Sequence, residues 1–312
     1  MNIFTDRSEI KFEKKSVVTV GSFDGLHRGH IKIIKELIST AKKNNGTSVL
    51  VTFDPHPRSV LSKYSEVSIL TSLDEKKMIL DKLDVENLYV IHFTREFSQL
   101  SSEEFIQNFL IEKLNASHIV IGHDHKFGKD RLGDENKLRE LGLKLGFTVS
   151  SVQPECIDDE IISSTKIRRF LINGELDKAN LYLDRYYSIC GIVVKGAQRG
   201  RTLGFPTANV QIDDVKKAFP KVGVYVTRCF LKDEVKFGVM NIGYRPTFEN
   251  KQELVPEVYI LDFNRDIYGE KIRVDFIKRL RDEIKFNSKD ELINQIEKDK
   301  REAEKIASQI FN

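Results

Sequence analysis

One stretch decides the fold of the first half of the chain, Gly21-Ser22-Phe23-Asp24-Gly25-Leu26-His27-Arg28-Gly29-His30. It follows a β-branched apolar run at 17–21 and opens a run with helical periodicity at 27–43. Glycines at such a switch let the backbone turn sharply and approach a ligand closely. The free N–H groups and positive dipole end of a helix N-terminus favour phosphate. The stretch therefore predicts a phosphate-binding strand–turn–helix.

Further strand-like runs alternate with helical ones through the first half. The strand-like runs are 48–53, 88–93, 118–121 and 147–152, and the clearest helical run is 102–114. This alternation predicts an α/β fold with a parallel, doubly wound sheet. The carboxyl ends of its strands form the ligand crevice. Five of the seven histidines follow predicted strands: His27, His30, His56, His123 and His125.

His27 and His30 are three residues apart, so both face the same side of the first helical turn. Two imidazoles there could donate hydrogen bonds to phosphate oxygens as charge develops in a transition state. The competing interpretation is that both residues only cap and pack the helix. The glycines around the pair, at a strand-to-helix switch, favour the phosphate interpretation.

Two other histidine positions leave alternatives open. The run His123-Asp124-His125 is dense in metal donors, so structural zinc is one interpretation. Adjacent residues of an extended segment point in different directions, however, and no thiolate partner accompanies them. His56 lies between Pro55 and Pro57, where a rigid turn explains it as well as a ligand contact does.

A second phosphate cradle is predicted at 162–169, Ile-Ser-Ser-Thr-Lys-Ile-Arg-Arg. Ser163, Ser164 and Thr165 supply hydroxyls and N–H groups at a helix start, and Arg168 adds a cation one turn later. Capping alone would explain the serines. The phosphate interpretation of this run is supported mainly by the presence of the first predicted cradle at 21–30.

The second half changes to short alternating strands, which are typical of an antiparallel barrel or sandwich. They are predicted at 188–194, 222–230, 236–242, 257–263 and 271–276. A charged amphipathic helix is predicted over 288–312. Two unlike domains, 1–184 and 185–312, fit a chain of 312 residues.

The densest signal of the second half is the glycine-rich run 196–209, Gly-Ala-Gln-Arg-Gly-Arg-Thr-Leu-Gly-Phe-Pro-Thr-Ala-Asn. Three glycines and two arginines suit a loop around polyphosphate. In an extended segment Thr207 and Asn209 point to one face, where their oxygens are suitable ligands for Mg²⁺. The alternative is a glycine-rich hairpin with a buried Thr–Asn hydrogen bond.

Transfer of phosphate to an alcohol also needs a base near the hydroxyl. Glu257 heads an apolar strand and is the candidate, although a glutamate in that place is more often a charge at a barrel edge.

The first half resembles a known superfamily in four places. The segment 21–30 resembles its His-x-Gly-His nucleotidyltransferase signature, and 162–168 its Ile-Ser-Ser-Thr-x-x-Arg element. The segments 53–57 and 122–133 resemble the branch that adenylylates flavin. The second half is similar to the riboflavin kinases throughout. Together these segments identify the chain as a member of the bacterial bifunctional riboflavin kinase/FAD synthetase family.

The resemblance implies a Rossmann-like FMN adenylyltransferase domain followed by a β-barrel riboflavin kinase. It implies that Glu257 deprotonates riboflavin, that Thr207 and Asn209 hold Mg²⁺ with ATP, and that His27, His30 and Arg168 assist adenylyl transfer. The nucleotide-binding residues it implies are Gly21, Ser22, Phe23, Asp24, Gly25, Gly29, Ser163, Ser164, Thr165, Gly196, Gly200, Arg201, Gly204 and Pro206. The flavin-binding residues it implies are His56, Asp124, Phe127, Arg131, Arg281 and Phe286.

Composition limits the partners. The formal net charge is only +3, which is typical of a protein that does not bind nucleic acid. No apolar run reaches the length of a membrane span, and three distant cysteines predict neither a disulfide framework nor a metal site. We expect a cytoplasmic monomer or weak homo-oligomer that binds riboflavin, FMN and ATP and yields FMN and FAD. A flavin sensor with one inactive site is the alternative.

Overall fold

The computed structural model describes residues 1–6, 8, 12–62, 68–123, 126–129, 133–196, 200, 203–246 and 252–311. The chain forms two compact units, Met1–Ser164 and Thr165–Asn312. None of the helices in these described ranges is both long and apolar enough to cross a membrane.

The first unit is built on a six-stranded, entirely parallel sheet in the order β1-β4-β3-β2-β5-β6. Its strands are β1 (Asn2–Thr5), β2 (Ser16–Val20), β3 (Thr47–Asp54), β4 (Asn87–His92), β5 (Ala116–Gly122) and β6 (Thr148–Val152). The predicted doubly wound α/β sheet is confirmed. The edge strand β1 was not predicted, because its side chains are mostly exposed and give no apolar pattern.

Helices cover both faces of this sheet and enclose two apolar clusters, one on each face. The helices are α1 (Arg28–Lys43), α2 (Pro57–Leu61), α3 (Leu73–Asp81), α4 (Ser102–Phe105), α5 (Ile106–Lys113) and α6 (Glu135–Leu145). The predicted helix at 102–114 is present but changes its hydrogen bonding at Ile106, where the wider π-type α5 follows α4.

The order of strands places a topological switch between β2 and β5. Chain connections leave β2 toward β3 on one side, whereas β5 lies on the other side of β2. In open parallel sheets, ligands bind outside the carboxyl ends of the strands at such a point. The segment 21–30 begins at the carboxyl end of β2, so it lies at the switch.

The second unit contains a closed, antiparallel six-stranded barrel in the order β10-β13-β12-β11-β14-β9. Its strands are β9 (Tyr187–Val194), β10 (Thr207–Ile212), β11 (Gly223–Phe230), β12 (Val235–Pro246), β13 (Gln252–Ile260) and β14 (Lys271–Arg281). The two intervening short strands, β7 (Cys156–Ile157) and β8 (Glu160–Ile161), form a hairpin in the first unit. The predicted barrel is confirmed. Glu257 is an interior residue of β13, whereas the sequence predicted it at the start of the strand.

Two helices, α7 (Ser164–Asn173) and α8 (Leu176–Leu183), precede the barrel. Asn180 of α8 donates to the carbonyl oxygen of Phe276 at 3.0 Å and accepts from the backbone N–H of Tyr187 at 2.7 Å. These contacts explain why the compact units divide at 164/165. The functional limits 1–184 and 185–312 stay a prediction.

The terminal helix α9 (Lys289–Phe311) packs on the outer face of the barrel through Ala303, Ile306 and Ala307. The pair Arg281–Asp299 joins the end of β14 to this helix. Arg281 Nε lies 3.1 Å from both Asp299 carboxylate oxygens, and Nη2 lies 2.7 Å from Oδ2. Gln295 adds a hydrogen bond of 2.9 Å to Oδ1.

Replacing Asp299 tests whether this pair holds α9 in place. Asp299→Asn should lower the free energy of unfolding of the second unit by about 2 kcal/mol, because it leaves the partly buried guanidinium of Arg281 without the buried carboxylate that it pairs with. Urea unfolding with α9 monitored by a fluorophore would measure the change. Glu304→Gln is the control, since Glu304 is solvent-exposed, its partner Lys300 lies 3.8 Å away and such surface pairs contribute little. Equal stability of both variants would contradict the assignment.

Candidate active sites

The first candidate site is the turn between β2 and α1. His27 is the N-cap of α1, and its Nδ1 accepts a hydrogen bond from the backbone N–H of His30 at 3.4 Å. The two imidazole rings stack, with centroids 3.7 Å apart and an angle of 17° between their planes. Because Nδ1 of His27 is an acceptor, the neutral ring carries its proton on Nε2. The structure thus brings the two predicted histidines together at a helix N-terminus.

The backbone of this turn is strained. Phe23 and Leu26 have positive φ angles of 45° and 40°, which residues other than glycine rarely adopt. Gly25, at φ 87°, is the residue in between that can adopt such a value without a steric cost. The Phe23 ring is buried and meets His30 edge to face at 5.3 Å. Phe23 therefore belongs to the core, and only its backbone is left for a predicted nucleotide contact.

Asp24 holds this turn against the segment before α3. Its buried carboxylate accepts hydrogen bonds from the backbone N–H groups of Leu70, at 2.9 and 3.2 Å, and of Thr71, at 3.1 Å. Ser164 Oγ donates to the backbone carbonyl of Asp24 at 2.8 Å. The carboxylate is thus engaged with the protein backbone, and as a hydrogen-bond acceptor it offers no donor to a phosphate. A nucleotide contact by Asp24 stays a prediction.

Lys76 of α3 was not predicted. It is 5% exposed, and its Nζ donates to the carbonyl oxygen of Ser22 at 2.7 Å and to Thr52 Oγ1 at 2.9 Å. Burial lowers its pKa to about 8, against the opposing influence of Asp24 and Asp54. In the sequence, a lysine on an amphipathic helix reads as a solvated charge. No local signal could have revealed its burial.

The remaining predicted residues of the first cradle divide into three groups. Gly21 directly follows β2, and Gly29 lies in the first turn of α1. Ser163 and Ser164 lie in the first unit, whereas Thr165 and Arg168 belong to the second. The convergence of Arg168 with the two histidines stays a prediction.

The predicted flavin side of the first site is partly described. His56 caps α2, with Nδ1 accepting from the Arg58 backbone N–H at 3.2 Å, so the turn interpretation accounts for its position. Phe127 is buried and exchanges backbone hydrogen bonds with Gly133. Asp124 and Arg131 lie outside the described residues. So does His125, on which the zinc alternative depends; elsewhere in the described ranges, no group of three or more His, Cys, Asp or Glu could hold a metal.

The second candidate site is on the outer face of the barrel. Thr207 and Asn209 of β10 lie opposite Tyr259 and Glu257 of β13, and Glu257 also lies opposite Asn241 of β12. Residues directly opposite in antiparallel strands share a face. Tyr259 packs against the cluster that α9 covers, which identifies this as the outer face. Register thus places a carboxylate between two carboxamides.

Asn209 is the most informative residue of this site. Its side chain is 5% exposed, and Oδ1 has no hydrogen-bond partner among the described residues. The carboxamide lies so close to Gly196 that a Cβ at that glycine would overlap it. Burying an oxygen without a hydrogen-bond donor costs free energy. This oxygen is therefore suited to contact a bound cation or a hydrogen-bond donor of a ligand.

Other predicted residues of the second half surround this face or lie apart from it. Gly200 lies near Thr207, and Gly204 and Pro206 are exposed just before β10. Arg201 lies outside the described residues. Arg281 is engaged with Asp299, so a flavin contact would need its guanidinium to serve two partners. Phe286 is half-buried beyond β14, and its flavin contact stays a prediction.

Asn241 was also missed by sequence reasoning. Its Nδ2 donates to Glu283 Oε1 at 3.2 Å, which ties the segment after β14 to β12 beside Glu257. The signal was absent because an asparagine within a strand carries no chemistry until its neighbours across the sheet are known.

The low pKa of Lys76 predicts a pH-dependent stability. In the unfolded chain the pKa of this lysine is the ordinary 10.5, whereas in the folded protein its pKa is about 8. The unfolded state therefore binds more protons between these values, and the free energy of unfolding rises with pH across that window. Relative to Lys76→Met, the wild-type protein should gain up to about 3 kcal/mol.

Denaturant unfolding of both proteins between pH 7.5 and 10.5 would measure this gain. Lys77→Met is the control, since the Lys77 ammonium is partly exposed and pairs with Asp74 at 2.9 Å. Parallel pH profiles for the wild-type protein and Lys76→Met would contradict the assignment.

Comparison with known proteins covers nearly the whole chain. The family described as FAD synthetase matches residues 9–166, and the family described as riboflavin kinase matches residues 183–307. A curated bifunctional riboflavin kinase/FMN adenylyltransferase of Bacillus subtilis is 41% identical over 93% of this chain and 92% of its own length. A protein of the same name from Listeria monocytogenes is 40% identical over 92% and 90%.

A solved structure shares the fold over the same extent. It is described as a macrolide-efflux protein from Streptococcus pneumoniae, is 32% identical, covers 96% of this chain and 98% of its own, and has a TM-score of 0.88. Both family matches and the identities to curated relatives agree with the order of the two folds along the chain. The chain belongs to the bifunctional riboflavin kinase/FMN adenylyltransferase family, with its FAD synthetase region first and its riboflavin kinase region second.

Proposed function

We propose that the barrel phosphorylates riboflavin to FMN and that the first unit transfers AMP from ATP to FMN, giving FAD and pyrophosphate. The proposal rests on family membership and on one structural observation: each unit carries its own candidate phosphate site. In the first unit it is a stacked histidine pair at a helix N-terminus. In the second it is Glu257 in register with the buried Asn209.

In the barrel, the oxygen of the riboflavin 5′-hydroxyl attacks the γ-phosphorus of ATP. Glu257 takes the hydroxyl proton, the bond from the γ-phosphorus to the bridging oxygen breaks, and ADP leaves. The position of Glu257 in mid-strand, between two neighbouring strands, supports this role because such a base is held rigidly.

The residues present fit a magnesium ion. Asn209 Oδ1, which has no hydrogen-bond partner among the residues that the structure describes, and the Thr207 hydroxyl lie on one strand face. Both are oxygen ligands of the kind that Mg²⁺ takes together with phosphates and water. Bound Mg²⁺ would neutralise charge on the β- and γ-phosphates. Asn209 and Thr207 would orient the nucleotide beneath Gly196 and Gly200.

In the first unit, a phosphate oxygen of FMN attacks the α-phosphorus of a second ATP. The bond from that phosphorus to the bridging oxygen of the β-phosphate breaks, and pyrophosphate leaves. His27, with its proton on Nε2, and His30 donate to the phosphate oxygens, as does the N-terminus of α1. Arg168 adds positive charge, and no covalent enzyme intermediate forms.

The cytoplasmic setting, the monomeric or weakly associated state and the absence of nucleic-acid partners stay predictions from composition.

Separate variants should divide the two activities. His30→Ala should lower FAD formation at least about 100-fold while FMN accumulates from riboflavin. Glu257→Ala should block FMN formation to a similar extent while supplied FMN is still adenylylated. Chromatography of flavins after incubation with riboflavin or FMN, ATP and Mg²⁺ would measure both.

If either variant lost both activities while folded, two separate sites would be refuted. If the wild-type protein bound flavin without converting it, the sensor with one inactive site would be supported instead.

The proposed metal role of Asn209 has its own test. Asn209→Ala should raise the Mg²⁺ concentration for half-maximal FMN formation more than about 10-fold, because one oxygen ligand is lost. Gln211→Ala, an exposed position two residues along the same strand, is the matched control. FAD formation from supplied FMN should not change in either. An unchanged Mg²⁺ dependence in Asn209→Ala would refute the role.

A further inference from the structure

We propose that Lys76 is a positioning residue for adenylyl transfer, which fixes the peptide between Ser22 and Phe23 from the protein interior and so sets the position of the α1 N-terminus. The inference rests on the proposed adenylyl transfer in the first unit. It concerns a residue that makes no contact with substrate.

Lys76 is a buried amine. Its side chain is only 5% exposed, and the two acceptors that Nζ contacts among the described residues are neutral oxygens, the Ser22 carbonyl and the Thr52 hydroxyl. The acidic groups that face it are Asp24 of the turn and Asp54 at the end of β3. An apolar side chain of similar length would fill the same space without the cost of burying an amine.

Lys76 and Thr52 together hold the backbone carbonyl group of Ser22. Thr52 Oγ1 lies 3.2 Å from the Ser22 carbonyl oxygen, which Nζ of Lys76 approaches at 2.7 Å. Because a trans peptide is planar, the N–H of Phe23 points opposite to that carbonyl and therefore away from Lys76. Two hydrogen bonds to the carbonyl also polarise the peptide and strengthen its N–H as a donor.

The turn that Lys76 contacts is strained. Phe23 and Leu26 keep positive φ angles of 45° and 40°, and such residues persist only where the surroundings over-determine them. The turn is held on both sides of Phe23. Lys76 and Thr52 hold Ser22, and Leu70, Thr71 and Ser164 hold Asp24. This set of contacts, the turn clamp, links the strain to the histidine pair.

The consequence is geometric. The N-cap of α1, His27, follows Asp24 by only three residues, so the positions of Ser22 and Asp24 set where the helix N-terminus and its histidines lie. Misplacement of such groups by about 1 Å can slow a reaction by about 100-fold. Loss of the turn clamp should therefore strongly lower the rate of the chemical step and only weakly change the affinity for nucleotide.

The test uses the full chain and compares Lys76→Met with Lys77→Met. Lys77 lies on the same helix but pairs with Asp74 near the surface. With FMN and Mg²⁺ fixed and ATP varied, Lys76→Met should lower the kcat of FAD formation at least 20-fold and change the KM for ATP less than threefold. FMN formation by the same preparation should stay within twofold, as should both activities of Lys77→Met.

Two measurements separate positioning from folding. Because the barrel is also proposed to bind ATP, titration with α,β-methylene-ATP is compared with that of the wild-type protein: loss of the first site from Lys76→Met would lower the number of sites per chain from two to one. The kcat is expressed per chain that keeps both sites and is therefore binding-competent in the first unit. Lys76→Gln, which keeps an N–H donor, should recover at least fivefold of the lost kcat. A loss that only followed the number of binding-competent molecules, or no recovery with glutamine, would overturn the proposal.

Thr52→Val keeps the proposal testable should Lys76→Met fail to fold. It removes the other hydrogen bond to the Ser22 carbonyl and should lower kcat about threefold, and combined with Lys76→Gln it should be less than additive because both act on one carbonyl. Full additivity, or no effect of Thr52→Val, would overturn the clamp. If the wild-type protein made no FAD, the proposed function would fail instead.

Discussion

The first unit depends on how the turn between β2 and α1 is held in a conformation its residues would not adopt alone. Phe23 and Leu26 lie in the left-handed region, which costs on the order of 1 kcal/mol or more at each. The buried Asp24 carboxylate offsets this cost by accepting backbone N–H groups of Leu70 and Thr71. The helix N-terminus that follows can then carry two stacked imidazoles at the switch point of the sheet.

The barrel solves a similar problem by register. Its outer face is not chemically special in any one strand, but pairing puts Asn209, Glu257 and Asn241 side by side across β10, β13 and β12. Closure of the barrel leaves no free edge along which this register could slip. This rigidity holds in place the buried Asn209 Oδ1, which has no donor within the described part of the chain, whereas a more flexible scaffold would let it find one.

The two units use one physical strategy with different elements. Each places backbone or side-chain donors where charge on phosphate must be stabilised, and each holds them with groups that do not face the ligand. In the first unit these are Asp24 and Lys76. In the second, Arg281 and Asp299 fasten α9 over the barrel, and Asn241 fastens Glu283 beside Glu257. A buried charge is stable in such a place only because partners surround it.

The choice of a barrel over a sandwich came from the family resemblance. The sequence by itself determined the parallel sheet, the short alternating strands of the second half, the paired histidines and the strand face of Thr207 and Asn209. These follow from local periodicity and short spacings, which a linear chain displays directly. It missed β1, the hydrogen-bonding change at Ile106 and the start of β13. Only the tertiary structure decided that Lys76 is buried, that Arg281 is engaged by Asp299 and that Asn241 adjoins Glu257. The physical reason is that burial and hydrogen-bond partners depend on residues distant in the chain. The local sequence around a lysine or an asparagine is therefore the same whether the side chain lies in solvent or in a core.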